Sequence, residues 1–377
     1  MTESFSFSSM QEASAWLDSL GGYVNPGKVV PLKGPAAHEV AVGPVHAGVI
    51  EPGHFRFQCM GEDVFNLQIF LGYQHRGVEK SIVDADGILP RQIALAETCA
   101  GDMSAAAATA FAQIAERALP SRFSPPDGDA CRIRGLMIEL ERIANHVGDL
   151  GALAGDVAFL QAASFCGRIR GEYLNMTALI CGNRFGRNAI VPGGARVKPS
   201  DPVYAKLKAW IARVKPELDR TLRLMFHEHS VCDRFDGTGR VPRDVAESIG
   251  LVGVARRASV EFNGDVMARA LVRRIEIEES HAKIAELLDG GCPSDEASCG
   301  AESCGGFLGV RSEVSSWRGP LVHAAVFTPD GKMAGYRIVD PSAHNWPGLA
   351  WALRGEQISN FPICNKSFNL SYCGTDR

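Results

Sequence analysis

Several common signals are missing from this sequence, and each absence excludes a class of protein. The chain holds 11 cysteines, but no two of them have the C-x-x-C spacing that rubredoxin-like, zinc-ribbon and ordinary ferredoxin sites use. No apolar run approaches the roughly 18 residues of a membrane-spanning helix, since the best candidate, 150–165, is interrupted by Asp156 and two glycines. Residues 1–10 lack the basic and apolar regions of a secretion signal, so we expect reduced thiols in a cytosolic protein.

The sequence also lacks the features of nucleotide and nucleic-acid binding. It contains no G-x-G-x-x-G after a strand, no P-loop and no nucleophile elbow. The formal net charge is −4 and no basic stripe carries interleaved aromatics, so nucleic acid is excluded as a partner. Hydrophobic residues at 46% and charged residues at 22% are typical of a globular protein with a substantial core. We therefore expect a soluble protein, or one that partners hold at a membrane surface.

Hydrophobic periodicity divides the chain into an N-terminal extension and linker at 1–40 and a single domain at 41–377. Alternating segments at 54–59 and 64–70 predict a small antiparallel sheet. An alanine-rich segment from Arg91 to Leu119, ended by Pro120, predicts one long helix that its neighbours can approach closely.

The remaining pattern predicts a helical core at about 90–290, a Gly/Ser/acidic loop at 290–306 and a C-terminal β/α segment at 307–377. The other helices of the core are predicted at 132–153, 156–181, 202–229 and 266–288, and the last segment contains strands at 321–328 and 336–339 and a helix at 346–353. The predicted fold is therefore mainly α, of the α+β class, with a central helical bundle and small antiparallel sheets at the N- and C-terminal ends.

Six sequence blocks, in order along the chain, resemble one superfamily. Residues 71–80 read LGYQHRGVEK, similar to the GYxHRGIEK block, and residues 139–146 read ELERIANH, similar to ELxRIxNH. The other blocks lie at 43–57, 231–239, 317–319 and 365–377. Together they resemble the superfamily of NiFe hydrogenase large subunits and of the D-type subunit of NADH-quinone oxidoreductase (respiratory complex I). The nearest resemblance is to group 4, hydrogenase-4 component G-like large subunits and to related complexes that lack the nickel cysteines.

The resemblance implies that the nickel ligands are lost. Group 4 large subunits hold nickel with two C-x-x-C pairs, the second of them in a terminal Asp-Pro-Cys-x-x-Cys signature. Aligned on the Gly-Asp dipeptide at 101–102 and on the terminal Thr-Asp-Arg, the ligand positions are here Ala100, Met103, Ser371 and Gly374. A serine hydroxyl is a hard donor that suits nickel poorly, and alanine and glycine offer no donor. Ala107 lies where hydrogenases have a histidine and the D-type subunit has its quinone-binding tyrosine.

Three cavity residues follow from the same alignment, each with a structural alternative. Glu51 lies where hydrogenases keep a proton-transferring carboxylate; if it is buried, its pKa should rise, and otherwise it caps backbone amides. Asp102 is a candidate proton carrier in an alanine-lined setting, or a helix aspartate paired with a neighbouring cation. Arg318 corresponds to the arginine that overhangs the active site, or ties the terminal strand in place.

A second set of charged residues is a candidate proton or coupling path. Arg76 and Glu79 are three positions apart, which predicts an ion pair on one helical turn. Glu139, Arg142 and His146 share one helical face, and the resemblance implies that such charges join the cavity to the membrane arm. The alternative is a salt-bridged contact between helices, because buried charges must be paired in either case.

Two histidine and cysteine groups are weaker candidates for metal binding. Cys292, Cys299 and Cys304 lie in the acidic loop at a spacing that fits no known motif, so incidental surface cysteines are favoured. His227 and His229 flank Glu228 and diverge on a helix, which disfavours a shared metal ion.

The function that the resemblance implies is a large-subunit-like component of a membrane-associated redox complex related to group 4 hydrogenase and NADH-quinone oxidoreductase. It would couple electron transfer from a small iron–sulfur subunit, which carries a 4Fe-4S cluster, to ion translocation. Other expected partners are a protein like the C-type subunit of complex I and antiporter-like membrane subunits, on the cytoplasmic face of the inner membrane. No cofactor is expected in this chain; NAD binds elsewhere in such complexes, and a quinone-like acceptor is an open alternative for the cavity. The competing interpretations are a non-catalytic scaffold and a divergent NiFe hydrogenase.

Overall fold

A computed structural model describes residues 1–28, 30–46, 48, 50–87, 89–291 and 306–377. The strands are β1 (Thr2–Phe7), β2 (Ala37–Val42), β3 (His54–Met60), β4 (Asp63–Phe70), β5 (Ile190–Val191), β6 (Gly194–Ala195), β7 (Phe307–Ser315), β8 (Pro320–Phe327) and β9 (Met333–Val339). The helices of the first half are α1 (Met10–Ser19), α2 (Val78–Asp84), α3 (Leu89–Glu97), α4 (Ser104–Ala118), α5 (Gly128–Asp156) and α6 (Leu160–Cys181). The later helices are α7 (Asp201–His227), α8 (His229–Phe235), α9 (Arg243–Ser248), α10 (Gly253–Glu261), α11 (Val266–Leu288), α12 (Pro341–Ala352), α13 (Phe361–Phe368) and α14 (Tyr372–Asp376).

The core is a helical bundle between two antiparallel sheets. α5 packs most extensively against α6 and α11, and its apolar face buries Leu136, Leu140, Ile143, Val147 and Leu150 completely. One sheet has the strand order β1-β7-β8-β9, and the other has the order β2-β3-β4. α4 lies between the first sheet and the bundle, where its alanines are buried. The predicted α+β architecture, with small sheets from both ends of the chain, is therefore confirmed.

The alanine-rich segment forms two helices, so the prediction of one helix from Arg91 to Leu119 is wrong. α3 ends at Glu97 and α4 begins at Ser104, with a turn at 98–103 between them. The Asp102 carbonyl in this turn accepts hydrogen bonds from the Trp317 indole at 3.0 Å and the Asn145 amide at 2.9 Å. These tertiary contacts satisfy a backbone oxygen outside any helix, and they override the helix propensity of the alanines.

The first residues of the chain are built into the larger sheet. β1 pairs with β7 along its whole length, from Thr2 opposite Ser312 to Phe7 opposite Phe307. α1 packs Ala13 and Leu17 against β8 of the same sheet. A long-range strand pair of this kind gives no local signal, because the partner strand lies about 300 positions away in sequence.

Among the residues that the structure describes, no helix is long and apolar enough to cross a membrane. Cys292, Cys299 and Cys304, considered above as weak metal candidates, lie outside the described residues.

Candidate functional site

The turn at 98–103 faces a second tight turn, at 316–319, that connects β7 to β8. Ser316 closes this second turn, because its backbone N–H and its hydroxyl both donate to the Gly319 carbonyl, at 2.9 and 2.7 Å. A Cβ at Gly319 would lie 3.0 Å from the Gly253 Cα of the neighbouring helix, so the approach requires a glycine. The geometry places Trp317 and Arg318 over the first turn.

Arg318 and Asp102 form a bidentate ion pair. The two guanidinium Nη atoms donate to the two Asp102 carboxylate oxygens at 2.7 Å each, and the guanidinium stacks 4.0 Å from the centre of the Trp317 ring. Burial alone would raise the pKa of Asp102, but the Arg318 charge outweighs it and holds that pKa below its usual value. The structure therefore shows the paired alternative for Asp102, which lies in a turn and not on a helix.

The two C-terminal ligand positions have structural uses of their own. Ser371 precedes α14, and its hydroxyl accepts the Gly374 N–H at 3.0 Å, as an N-cap residue does. A Cβ added at Gly374 would lie 2.2 Å from the Asp340 carboxylate Oδ2, so that carboxyl group occupies the place of a side chain at 374. Asp340 is 1% exposed, and within the described part of the chain its Oδ2 has no hydrogen-bond partner. Burial raises the pKa of Asp340, against the opposing charge of Arg318.

The residues at the four positions that the sequence aligns with nickel ligands do not fit a thiolate-bound nickel. Ala100 and Met103 lie in an apolar cluster with exposures of 2% and 1%, and Ser371 is a helix cap. Ala107 lies in the same apolar cluster on α4 and offers no hydrogen bond. No group of three or more histidine, cysteine, aspartate or glutamate side chains among the described residues could hold a metal ion.

The thiols of Cys99 and Cys373 lie next to these positions in the sequence. Cys99 lies in the turn at 98–103, directly before Ala100. Burial raises the pKa of the Cys99 thiol well above its usual value, and the nearby charges of Asp340 and Cys373 add to the effect. A thiol that stays protonated is a poor nucleophile and a poor metal ligand.

A row of paired charges links α5 to α11 next to this region. Arg142 donates to Glu139 at 3.2 Å and lies 3.8 Å from Glu276, while His146 hydrogen-bonds Glu276 at 2.7 Å. Glu139 also accepts the Ser280 hydroxyl at 2.6 Å and lies 3.4 Å from the ammonium of Lys283, whose side chain is 58% exposed. Glu139, Arg142 and His146 therefore lie together as predicted. Arg142 contacts Glu139, and Glu276 contacts both Arg142 and His146.

The protonation states in this row follow from its contacts. Burial would raise the pKa of Glu139 and of Glu276, but Arg142 beside the first and the His146 hydrogen bond to the second hold both below the usual value. Burial lowers the pKa of His146, against the opposing effect of Glu276. A neutral His146 donates from Nε2 to Glu276, so its Nδ1, which has no partner among the described residues, carries the lone pair.

Asp149 and Arg273 continue the row toward the Asp102–Arg318 pair. Arg273 donates to Asp149 at 2.9 Å, and the Asn369 amide donates to the other Asp149 oxygen at 2.6 Å. The Asn369 carbonyl accepts from Arg318 Nε at 2.8 Å, which connects the row to the pair with Asp102. The helical-face argument missed this extension, although Asp149 follows His146 by three positions on α5 and could have been found by continuing the same spacing.

Glu141 is a further, partly buried carboxyl group that the sequence argument passed over. It lies in a small pocket with Asp102 and Asn145, and its carboxylate accepts the N–H groups of Ala105 at 2.7 Å and Ala106 at 3.3 Å. Burial raises the pKa of Glu141 to about 8; the two amides oppose the shift, and the negative charge of Asp102 adds to it. Its block was recognised in the sequence, but a contact between α5 and the start of α4 is not readable from helical spacing.

Glu51 lies at a separate cavity, and the burial considered for it from the sequence is not found. Its side chain is exposed and accepts the Gln74 amide at 2.8 Å. The cavity has a volume of about 230 Å³ and is also lined by Lys366, Asn369 and Tyr372. Asn369 therefore borders both this cavity and the Asp102 pair.

The predicted ion pair between Arg76 and Glu79 is wrong. Gly77 adopts a left-handed conformation and α2 begins only at Val78, so Arg76 lies outside the helix. Arg76 donates instead to the Thr98 and Cys99 carbonyls. Glu79 lies 3.4 Å from Arg377 and 3.8 Å from Arg337. Asp376 accepts the N–H groups of Gly72 and Gln74 at 2.7 Å each, so the 71–80 block folds around the end of the chain.

Comparisons with known proteins confirm the resemblance inferred from the sequence. Residues 156–262 match the family described as the 49 Kd subunit of the respiratory-chain NADH dehydrogenase. Hydrogenase-4 component G of Escherichia coli is 27% identical over 354 residues, which cover 90% of this chain and 62% of that protein. The D-type subunit of NADH-quinone oxidoreductase from Chlorobium phaeobacteroides is 27% identical over 298 residues, covering 70% of this chain and 72% of that protein.

Formate hydrogenlyase subunit 5 of Escherichia coli is 25% identical over 372 residues, covering 90% of this chain and 63% of that protein. The chain therefore spans about three fifths of the length of the two Escherichia coli relatives. A chain of the membrane-bound sulfane sulfur reductase, an archaeal respiratory membrane complex, superposes with a TM-score of 0.77 at 21% identity, covering 91% of this chain and 99% of that chain. That likeness confirms the fold.

Proposed function

We propose that this relative of hydrogenase-4 component G and of the NADH-quinone oxidoreductase D-type subunit is the large-subunit-like component of a membrane-associated redox complex, without a nickel centre of its own. In this proposal it receives electrons from a small iron–sulfur subunit with a 4Fe-4S cluster and couples their arrival to ion translocation. A protein like the C-type subunit of complex I and antiporter-like membrane subunits complete the complex on the cytoplasmic face of the membrane. The relatives' membership of respiratory and hydrogenase complexes supports this assignment.

The observation that carries the proposal is the series of charges that runs from the Asp102 turn, where the Asp102 side chain is 34% exposed, through the buried interior to the exposed Lys283. It begins at the Asp102–Arg318 pair, continues through Asp149 and Arg273, and reaches the surface at Lys283. Burying so many charges costs free energy unless each is paired. Here each group of the series either lies within 4.0 Å of a partner or acts electrostatically on the next group, as Arg273 acts on His146. A change of charge at the Asp102–Arg318 pair therefore acts electrostatically on the other groups of the row, because screening by water is weak in the interior.

The cavity beside Glu51 is the proposed place for an electron acceptor. Lys366 offers an ammonium group that can donate to a carbonyl or anionic oxygen, such as those of a quinone-like molecule. Lys366 also donates to the Asn369 side chain at 3.2 Å, which joins the cavity to the charge series. Ala107 cannot supply the hydrogen bond that the tyrosine of the D-type subunit supplies, so binding depends on these other groups.

The test is turnover of a water-soluble quinone analogue by the intact complex carrying Asp102→Asn or Glu51→Gln. We expect Asp102→Asn to lower turnover roughly tenfold or more, because it removes a charge-assisted pair worth about 1.5–3 kcal/mol from the pocket. Matched controls are Asp84→Asn and Glu62→Gln, which change exposed carboxylates away from the pocket and should leave turnover unchanged.

A non-catalytic scaffold is the second candidate, and one observation favours it. The pKa of Asp102 is held low by Arg318, so this carboxylate stays charged near neutral pH and is a weak proton carrier. Wild-type turnover in both Asp102→Asn and Glu51→Gln would support the scaffold and contradict the catalytic proposal. The divergent-hydrogenase alternative needs stoichiometric nickel in the purified complex, which metal analysis measures directly.

A further inference from the structure

We propose that Asn369 is a positioning residue: its backbone carbonyl contacts Arg318 of the pocket ion pair, its side-chain amide holds the buried Asp149 carboxylate, and the two contacts together set the geometry of Arg318 over Asp102. The inference rests on the proposed function, because Asn369 connects three parts of the proposed site: the cavity beside Glu51, the Asp102–Arg318 pair and the charge series. Asn369 contacts a group in each of the three.

The backbone of Asn369 is in the left-handed region, with φ 46° and ψ 56°, directly after α13. Among residues with a side chain, asparagine adopts this conformation most readily, and it commonly ends a helix. The conformation ends α13 and turns the Asn369 carbonyl to Arg318 Nε, at 2.8 Å. The backbone alone therefore supplies one of the three contacts.

The side chain supplies the other two contacts and fixes the orientation of the amide. Its nitrogen donates to Asp149 at 2.6 Å, and its oxygen accepts from the Lys366 ammonium at 3.2 Å. A carboxylate only accepts hydrogen bonds and an ammonium only donates them. The reversed amide would turn its oxygen to the Asp149 carboxylate and its N–H groups to the Lys366 ammonium, and both contacts would be repulsive. Asp149 is thereby held between the amide and Arg273, whose Nε donates at 2.9 Å.

At this contact the Asn369 amide donates to the Asp149 carboxylate. Here an aspartate would put two carboxylates within hydrogen-bond distance, and such a pair must share a proton. The charged groups that contact Asp149 or Asn369 are Arg273 on α11, Lys366 on α13, and Arg318, which pairs with Asp102. Glu51 lines the same cavity as Asn369, Asp340 acts electrostatically on Arg318, and Arg273 acts on His146. An amide is the group that satisfies the Asp149 carboxylate without adding a charge to this set.

Two variants separate the contributions of backbone and side chain. Asn369→Gly keeps the left-handed backbone and the carbonyl contact to Arg318, but removes the amide. Asn369→Asp keeps the size of the side chain and replaces the donor with an acceptor. Asn188→Gly is the control for the first, because Asn188 is also left-handed, with φ 62°, and exposed. Asn360→Asp is the control for the second, because the Asn360 amide donates to the Glu356 carboxylate at 2.8 Å away from the pocket.

The first measurement is turnover of a quinone analogue by the intact complex as a function of pH. We expect Asn369→Gly to lower kcat at all pH values, and Asn369→Asp to lose turnover about tenfold per pH unit once the shared proton dissociates. The two controls should keep the wild-type pH profile. Wild-type kcat and an unchanged pH profile in both position-369 variants would overturn the inference.

The second measurement needs no turnover and uses the folded chain. We expect the melting temperature of Asn369→Asp to fall, relative to wild type, as the pH is raised, because the variant must bury an additional charge after the shared proton is lost. Asn360→Asp should show a smaller trend. A complex that turns over no quinone analogue, with the pH trend still present in Asn369→Asp, would remove the proposed function and leave the contact established. Absence of the trend in Asn369→Asp would contradict the contact itself.

Discussion

At the scale of single residues, the two C-terminal positions that the sequence aligns with nickel ligands have structural roles of their own. Ser371 caps α14 through its hydroxyl, and Gly374 leaves the volume that the Asp340 carboxyl group fills. Asp340 in turn caps α12, since its Oδ1 accepts the Ser342 N–H at 2.7 Å. A cysteine side chain would not fit at position 374 while Asp340 keeps this rotamer.

Substitution of Gly374 tests this steric relation. We expect Gly374→Ala to lower the free energy of unfolding by about 1–3 kcal/mol, the range for forcing an extra carbon into a packed interior. Asp340→Ala alone should cost about 1 kcal/mol through loss of the helix cap. The double variant should be more stable than the sum of the two effects, because the second substitution removes the overlap. Urea denaturation at pH 7 measures all three, and strict additivity would contradict the overlap.

The site could be predicted from the sequence only where residues share a helix or a recognised block. Glu139, Arg142 and His146 follow from helical spacing, and Asp102 and Arg318 follow from the resemblance. Their pairing does not, because the two lie 216 positions apart and meet only when the turns at 98–103 and 316–319 face each other. The proton-transfer and coupling roles of these residues stay predictions.

At the scale of secondary structure elements, α4 begins without a cap from its own chain neighbours. Met103 occupies the N-cap position and makes no side-chain hydrogen bond to the helix. The Glu141 carboxylate from α5 binds the first amides instead, so one helix caps another. The contact ties the start of α4 to the pocket that contains Asp102.

The raised pKa of Glu141 gives the contact a pH dependence. A carboxyl group whose pKa rises on folding, here from 4.5 to about 8, contributes stability below pH 4.5 that is lost as the pH rises through 8. Because glutamine resembles the protonated form, Glu141→Gln should match wild type near pH 5 and become the more stable protein near pH 9. Thermal unfolding across this range measures the difference. Glu247→Gln, on an exposed face, should show no such crossover, and a pH-independent difference for Glu141→Gln would contradict the assigned pKa.

Local periodicity predicted the elements whose buried face repeats regularly. β3, β4, α5, α6 and α11 appear within a few residues of their predicted ends. β1 and β7 were missed because their pairing is long-range, and the short helices α8 to α10 carry too few turns for a clear stripe. The break between α3 and α4 was missed because its cause is tertiary.

At the scale of the whole molecule, the first strand completes a sheet built mainly from the last quarter of the chain. β1 covers the edge of β7, and the neighbouring α1 covers one face of the same sheet. Without β1, the row of N–H and C=O groups along β7 would have no partner strand on that side.

Removal of residues 1–20 tests this role. We expect the truncated chain to melt at a lower temperature and to aggregate at lower protein concentration, because β7 becomes an exposed edge. Leu17→Ala, which shortens a side chain that is 8% exposed, should cost about 2–3 kcal/mol. Gln11→Ala, on the exposed face of α1, should be neutral. Scanning calorimetry and light scattering measure both quantities, and wild-type behaviour of the truncated chain would contradict the assignment.

The turn between α3 and α4 has a consequence for the stability of the protein when no ion is bound there. Its shape is maintained by protein donors on the Asp102 carbonyl and by the guanidinium on the Asp102 carboxylate. Small domains whose ligands are gathered by an ion unfold when that ion is withdrawn. A turn held by contacts within the protein has no such dependence, so we expect substitutions that remove an ion ligand there to cost little stability.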